Sequence, residues 1–112
     1  MNYEKEFDDA LFEMEKNGLE YAKHRSLREQ LERYGETLYS SLFLRAEAKT
    51  IEEKKHFAKS SGEFIAHNEG LDVAQEREHF FKVKYDRAIS KFESLKCLCS
   101  QSTAMIKTTG GV

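Results

Sequence analysis

Apolar residues recur at helical spacing along almost the whole of this chain. From about Glu4 to Lys49 they fall at Phe7, Leu11, Met14, Tyr21, Leu27, Leu31, Tyr34, Leu38 and Leu42. The steps are mostly three or four, as a helix with one buried face requires. Gly18 and Gly35 interrupt good helix formers, each at a cost of about 1 kcal/mol relative to alanine. They mark a bend or a close contact with a partner. Thr50-Ile51-Glu52-Glu53 comes next, a capping-box pattern with Thr50 as the N-cap and Glu53 three residues on. It predicts that the first helix ends near Ala48 or Lys49. A short second helix then runs to about Lys59 and buries at most Ile51, Phe57 and Ala58. Ser60-Ser61-Gly62 is the next break, and Ser60 or Ser61 can cap the third helix.

From Glu63 to about Met105 the pattern is cleaner. Leu71, Ala74, Glu78, Phe81, Tyr85, Ala88, Phe92, Leu95, Cys99, Ser102 and Ile106 alternate steps of three and four. That is a sustained period of about 3.5, the mark of a left-handed coiled-coil seam. Val73, Phe80, Val83, Ile89 and Leu98 form a second apolar row beside it. Seam and flank together are wider than one facing helix covers, so the chain is expected to dimerise or to pack on another protein. The two long helices are each about 45 residues, roughly 65–70 Å at about 1.5 Å per residue. Matched arms joined by a short capped helix predict an all-α fold, a long antiparallel helical hairpin, coiled-coil-like, with a short connecting helix. Residues 1–107 form its single domain and 108–112 a frayed, flexible tail.

Composition agrees with helices and with little else. At 112 residues the chain is one domain at most. Proline is absent and glycine numbers 6, too little turn punctuation for a β-rich domain. Hydrophobic residues make up 39% and charged residues 34%, with a mean hydropathy of -0.71. That suffices for a seam between helices and not for a thick core. No apolar run is long enough to span a membrane, and the first 25 residues lack the apolar core of a signal peptide. The two cysteines, Cys97 and Cys99, lie on roughly opposite sides of a helix that turns about 100° per residue. They cannot bridge each other there, and a reducing cytoplasm is expected.

Charge is unevenly spread. Residues 1–20 hold seven acids and two bases, a net of -5, and residues 82–112 hold six bases and two acids, a net of +4. An antiparallel hairpin lays one against the other, so intramolecular complementarity is the plain reading. A basic segment that attracts phosphate is the functional one.

Candidate chemistry is sparse. Glu53-Lys54-Lys55-His56 and Glu76-Arg77-Glu78-His79 are E-x-x-H pairs, and two such pairs with two more glutamates hold di-metal centres in ferritin-like bundles. Among 16 glutamates and 4 histidines such pairs arise by chance, and these read as solvated surface. No Gly-rich phosphate loop, HExxH or GxSxG motif occurs. C-x-C alone leaves too few zinc ligands. Cys99 reads as a seam residue and Cys97 as peripheral. No catalytic residue, metal or cofactor is expected, and the chain is read as not an enzyme. Phe80-Phe81-Lys82-Val83-Lys84-Tyr85-Asp86-Arg87 interleaves aromatics with cations, as single-strand binding requires.

The run Leu42-Phe43-Leu44-Arg45-Ala46-Glu47-Ala48-Lys49-Thr50-Ile51-Glu52-Glu53-Lys54 resembles a stretch of small helical bacteriophage proteins. Ala58, Ser61 and Phe64, then Glu78, Phe81 and Arg87, match that group's later spacing. The resemblance covers residues 10–102. Such proteins are mostly of unknown function and are often encoded near single-strand annealing and recombination genes. The group usually ends in a tryptophan-arginine pair and a paired-arginine tail. Here Ser94-Leu95-Lys96 stands in the first place, and the segment from Ser102 to Lys107 lacks paired arginines. The resemblance implies a non-enzymatic accessory protein in phage DNA replication or recombination, in the host bacterial cytoplasm. It would act by binding, as a homo-oligomer, on single-stranded DNA or on a phage or host DNA-processing protein. Lys82, Lys84, Arg87, Lys91 and Lys96 are the candidate phosphate contacts, and Phe80, Val83 and Ile89 the candidate protein contacts. The alternative is an inhibitor of a host defence or nuclease protein, with Asp8, Asp9, Glu13 and Glu15 mimicking phosphates.

Overall fold

The computed structural model describes the backbone of residues 3–110 and the side chains of residues 3–101. The protein is all-α, with α1 over Tyr3–Arg45, α2 over Ile51–Ser60 and α3 over Gly62–Gly110. Among the described residues there is no strand, and none of the helices is long and apolar enough to cross a membrane. Glu4 and Glu6 sit in the first turn of α1 and Arg45 in its last, each sign placed where the helix dipole favours it.

α1 stops at Arg45, short of the expected end near Ala48 or Lys49. The Ala46 N–H donates to the Phe43 carbonyl at 3.3 Å, a tightened last turn that leaves the chain free to extend into the cap. Thr50 is the N-cap of α2, at φ -112 and ψ 155, and its Oγ1 accepts the Glu53 N–H at 3.2 Å. The return half of the capping box is displaced by one residue. Glu53 accepts from the Lys49 N–H at 3.3 Å, where the pattern predicts the N–H of Thr50. α2 buries Ala58 completely, but Ile51 is 64% and Phe57 45% exposed. Ser61 closes α2 and opens α3 by itself. Its N–H donates to the Ala58 carbonyl at 3.4 Å, and its carbonyl accepts from the Ile65 N–H at 3.0 Å. α3 passes 107 and continues through Thr108, Thr109 and Gly110. The side chains of Ser102 and Ile106, and the last two residues of the expected tail, lie outside the described residues.

The chain forms two compact units, one of residues 1–21 with 80–112 and one of residues 22–79. The second unit is a helical hairpin closed by α2. Leu38, Leu42 and Ala58 form its core, with Tyr39 and Phe64 packed against them. Arg28 meets Glu78, Tyr34 meets His67 and Tyr39 meets Phe64. Partner numbers fall along α3 as they rise along α1, the order that oppositely directed helices give.

On α3 a series of half-buried and buried positions runs Leu71, Ala74, Glu78, Phe81, Tyr85, Ala88, Phe92, Leu95, Cys99. This is the expected seam, extended backwards by His67 and Phe64. On α1 the series runs Phe7, Ala10, Met14, Asn17, Tyr21, His24, Arg28, Leu31, Gly35, Leu38, Leu42. It departs from the expected stripe, since Leu27 is 43% and Tyr34 58% exposed. His24, Arg28 and Gly35 hold the seam instead, for reasons that lie on the opposite helix. Arg28 donates to both carboxylate oxygens of Glu78 and to Glu32 at 3.0 Å. These bonds, Glu78's foremost, raise its pKa above the ordinary arginine value. Gly35 makes room for an imidazole: a Cβ there would lie 2.5 Å from Nε2 of His67. That nitrogen is buried without a hydrogen-bond partner.

Candidate nucleic-acid interface

The first unit pairs the start of α1 with α3 from residue 80 onwards. Aromatic contacts hold the pair. Phe7 and Phe92 have ring centroids 4.8 Å apart, and Tyr21 and Tyr85 6.1 Å apart. Gly18 lets Tyr85 approach, since a Cβ there would lie 3.0 Å from the tyrosine ring. Both glycines of α1 therefore mark close contacts within the chain.

Beside this seam the charges are sorted. Glu6, Glu13 and Glu20 recur every seventh residue on α1, and Lys84 and Lys91 do so on α3. Positions of that kind flank a coiled-coil seam and face each other across it. Lys91 reaches Glu13 at 3.6 Å, with both side chains more than half exposed. A pair so exposed contributes between about 0 and 1 kcal/mol. The plain reading of the charge asymmetry holds at this pair.

The same flank carries a groove of about 600 Å³. Lys84, Arg87 and Lys91, at i, i+3 and i+7, share one face of α3, and Lys16 of α1 joins them. Phe81 and Ala88 line it, and Glu13 and Glu20 also border it. Four cations and two carboxylates thus surround an apolar floor. Phe80 stands edge-on to Phe81, with centroids 5.2 Å apart and planes at 82°. The Lys84 ammonium lies 5.1 Å from the Phe80 centroid and 6.0 Å from that of Phe81, within cation–π range.

Three of the five candidate phosphate contacts therefore come together. Lys82 and Lys96 are exposed but line no part of the groove. Lys16 escapes a reading of the sequence, because nothing near it on α1 is basic and its role depends on pairing with α3. Of the candidate protein contacts, Phe80 is 55% exposed, while Val83 and Ile89 are half-buried. Glu53, His56, Glu76 and His79 of the E-x-x-H pairs are exposed. Among the described residues no three His, Cys, Asp or Glu side chains are grouped to hold an ion. Cys97 is an exposed free thiol and Cys99 a half-buried one.

Neither a protein-family model, nor a curated protein, nor a solved structure matches this chain.

Proposed function

We propose that this chain is a non-enzymatic phage accessory protein that works by binding, as a homo-oligomer, in DNA replication or recombination in the host bacterial cytoplasm. The observation that carries this reading is the groove of the first unit. Lys16, Lys84 and Arg87 stand over Phe81, beside an exposed Phe80. Cations that follow a backbone, next to rings on which bases stack, suit a single strand. Glu13 and Glu20 oppose phosphate there, so affinity is modest and depends steeply on salt. The resemblance to small phage proteins supports the setting.

Fluorescence anisotropy with labelled single- and double-stranded oligonucleotides tests this. Single strands are expected to bind at low salt and to be released as salt rises. Lys84→Glu with Arg87→Glu is expected to abolish binding, and Lys82→Glu with Lys96→Glu to leave most of it. No binding at the lowest salt removes the nucleic-acid role. A second reading is supported by the exposure of Asp8, Asp9, Glu13 and Glu15 on α1, which suits a phosphate mimic docking on a host defence or nuclease protein. Capture of one host protein by a chain with no DNA affinity favours that reading.

A further inference from the structure

The second unit holds a groove of its own, and its chemistry differs from that of the first. Leu27, Gln30 and Tyr34 of α1 and Val73 and Arg77 of α3 line a space of about 420 Å³. Glu13 and Glu20 border the first unit's groove, whereas, among the described residues, no carboxylate lines this one. Leu27, Tyr34 and Val73 are 43%, 58% and 47% exposed, and Gln30 and Arg77 are exposed as well. An aromatic ring, a guanidinium and an amide therefore share one open space with apolar walls.

The ring is supported without being covered. His67 backs Tyr34, with ring centroids 5.5 Å apart and planes at 55°. About one turn further along α3, Gly70 also lines the groove, and a Cβ there would meet nothing within 4 Å. With no side chain at that position the groove stays open. The charges nearby favour phosphate on one side. Lys23 and Arg33 of α1, seven residues before Gln30 and three after it, are exposed on its face. Glu69 and Glu76 are exposed on α3 and repel phosphate, which leaves the α1 side for a backbone. A packed helix would cover Arg77 with apolar side chains and leave its charge unpaired. A nucleotide brings it a phosphate and brings the ring a flat base.

We propose that this groove is a base-stacking site for single-stranded nucleic acid. An unpaired base lies on Tyr34, walled by Leu27 and Val73. Gln30 offers its amide to the polar edge of the base, and Arg77 and Lys23 take the flanking phosphates. This inference rests on the reading that the chain binds single strands, and it names a second place, besides Phe80 and Phe81, where a base stacks.

Anisotropy of a labelled single-stranded oligonucleotide at low salt tests it. Tyr34→Ala is expected to weaken binding about tenfold, and Tyr34→Phe, which keeps the ring, to bind as the native chain does. Gly70→Leu fills the groove from a position where added atoms meet nothing, and is expected to weaken binding by a similar factor with unchanged helicity. An oligonucleotide carrying photoreactive iodouracil is expected to cross-link to Tyr34 of the native chain. No binding by the native chain at the lowest salt overturns both the inference and the nucleic-acid reading. Native binding that Tyr34→Ala leaves unchanged, with cross-links on Phe80 or Phe81 and none on Tyr34, overturns only this site.

Discussion

Gly35 is kept small by a residue more than thirty positions away. Its Cβ would meet His67 Nε2 at 2.5 Å, whereas a Cβ on Gly70 would meet nothing within 4 Å. Alanine favours a helix interior over glycine by about 1 kcal/mol. Gly70→Ala is therefore expected to raise stability by up to about 1 kcal/mol, and Gly35→Ala to lower it. Urea unfolding of the two variants reads the opposite signs, and adding His67→Ala to Gly35→Ala should recover much of the loss. Thr50 supplies the side-chain cap of α2 through the Glu53 N–H. Thr50→Ala is expected to cost about 1 kcal/mol in the same assay.

Among the helices, α3 is the more legible from sequence. Its seam is aromatic and aliphatic, and the step of three and four selects the buried positions found, except that His67 and Phe64 extend it. Beyond Tyr21, α1 is legible at Leu31, Leu38 and Leu42 and misleading at Leu27 and Tyr34, because apolar side chains are a poor guide where polar ones are satisfied from across the seam. Arg28 is half-buried because Glu78 meets it, and Leu27, next in sequence, is left outside. In the candidate site, Lys84, Arg87 and Lys91 are readable from one helix, but Lys16 needs the pairing. The same logic separates the effects of substitution. Leu42 is 2% exposed and Leu44 81%. Leu42→Ala is expected to cost roughly 2–5 kcal/mol, and Leu44→Ala less than about 0.5 kcal/mol. Arg28→Met and Glu78→Leu are each expected to lower the melting temperature, and the double replacement to restore it, because a half-buried charge that has lost its bonds across the seam is worse than a well-packed apolar pair. Thermal melts followed by circular dichroism decide it, and a double variant no better than the singles would sink this account.

At the scale of the molecule, little apolar surface is covered. The buried hydrophobic residues among those described are four alanines and three leucines, while Phe12, Leu19, Leu27, Tyr34, Leu44 and Phe80 remain more than two-fifths exposed. A chain of this kind gains stability from whatever covers it. Its melting temperature is expected to rise with protein concentration. Calorimetry over a range of concentrations measures the dependence.

The polar interruptions of the second unit's seam bear on how the chain finds its alignment. A heptad stripe tolerates sliding, because a shift of one repeat returns apolar side chains to apolar neighbours. Here a slip in one direction sets the His67 ring against Leu42 and leaves Glu78 facing Gly35 without its guanidinium. A slip in the other brings His67 against Arg28. Each wrong alignment strands a charge or crowds a ring, so mispaired helices come apart and try again. The residues that weaken the stripe as a source of cohesion serve it as an error check, rejecting offset pairings that a wholly leucine-lined seam would accept.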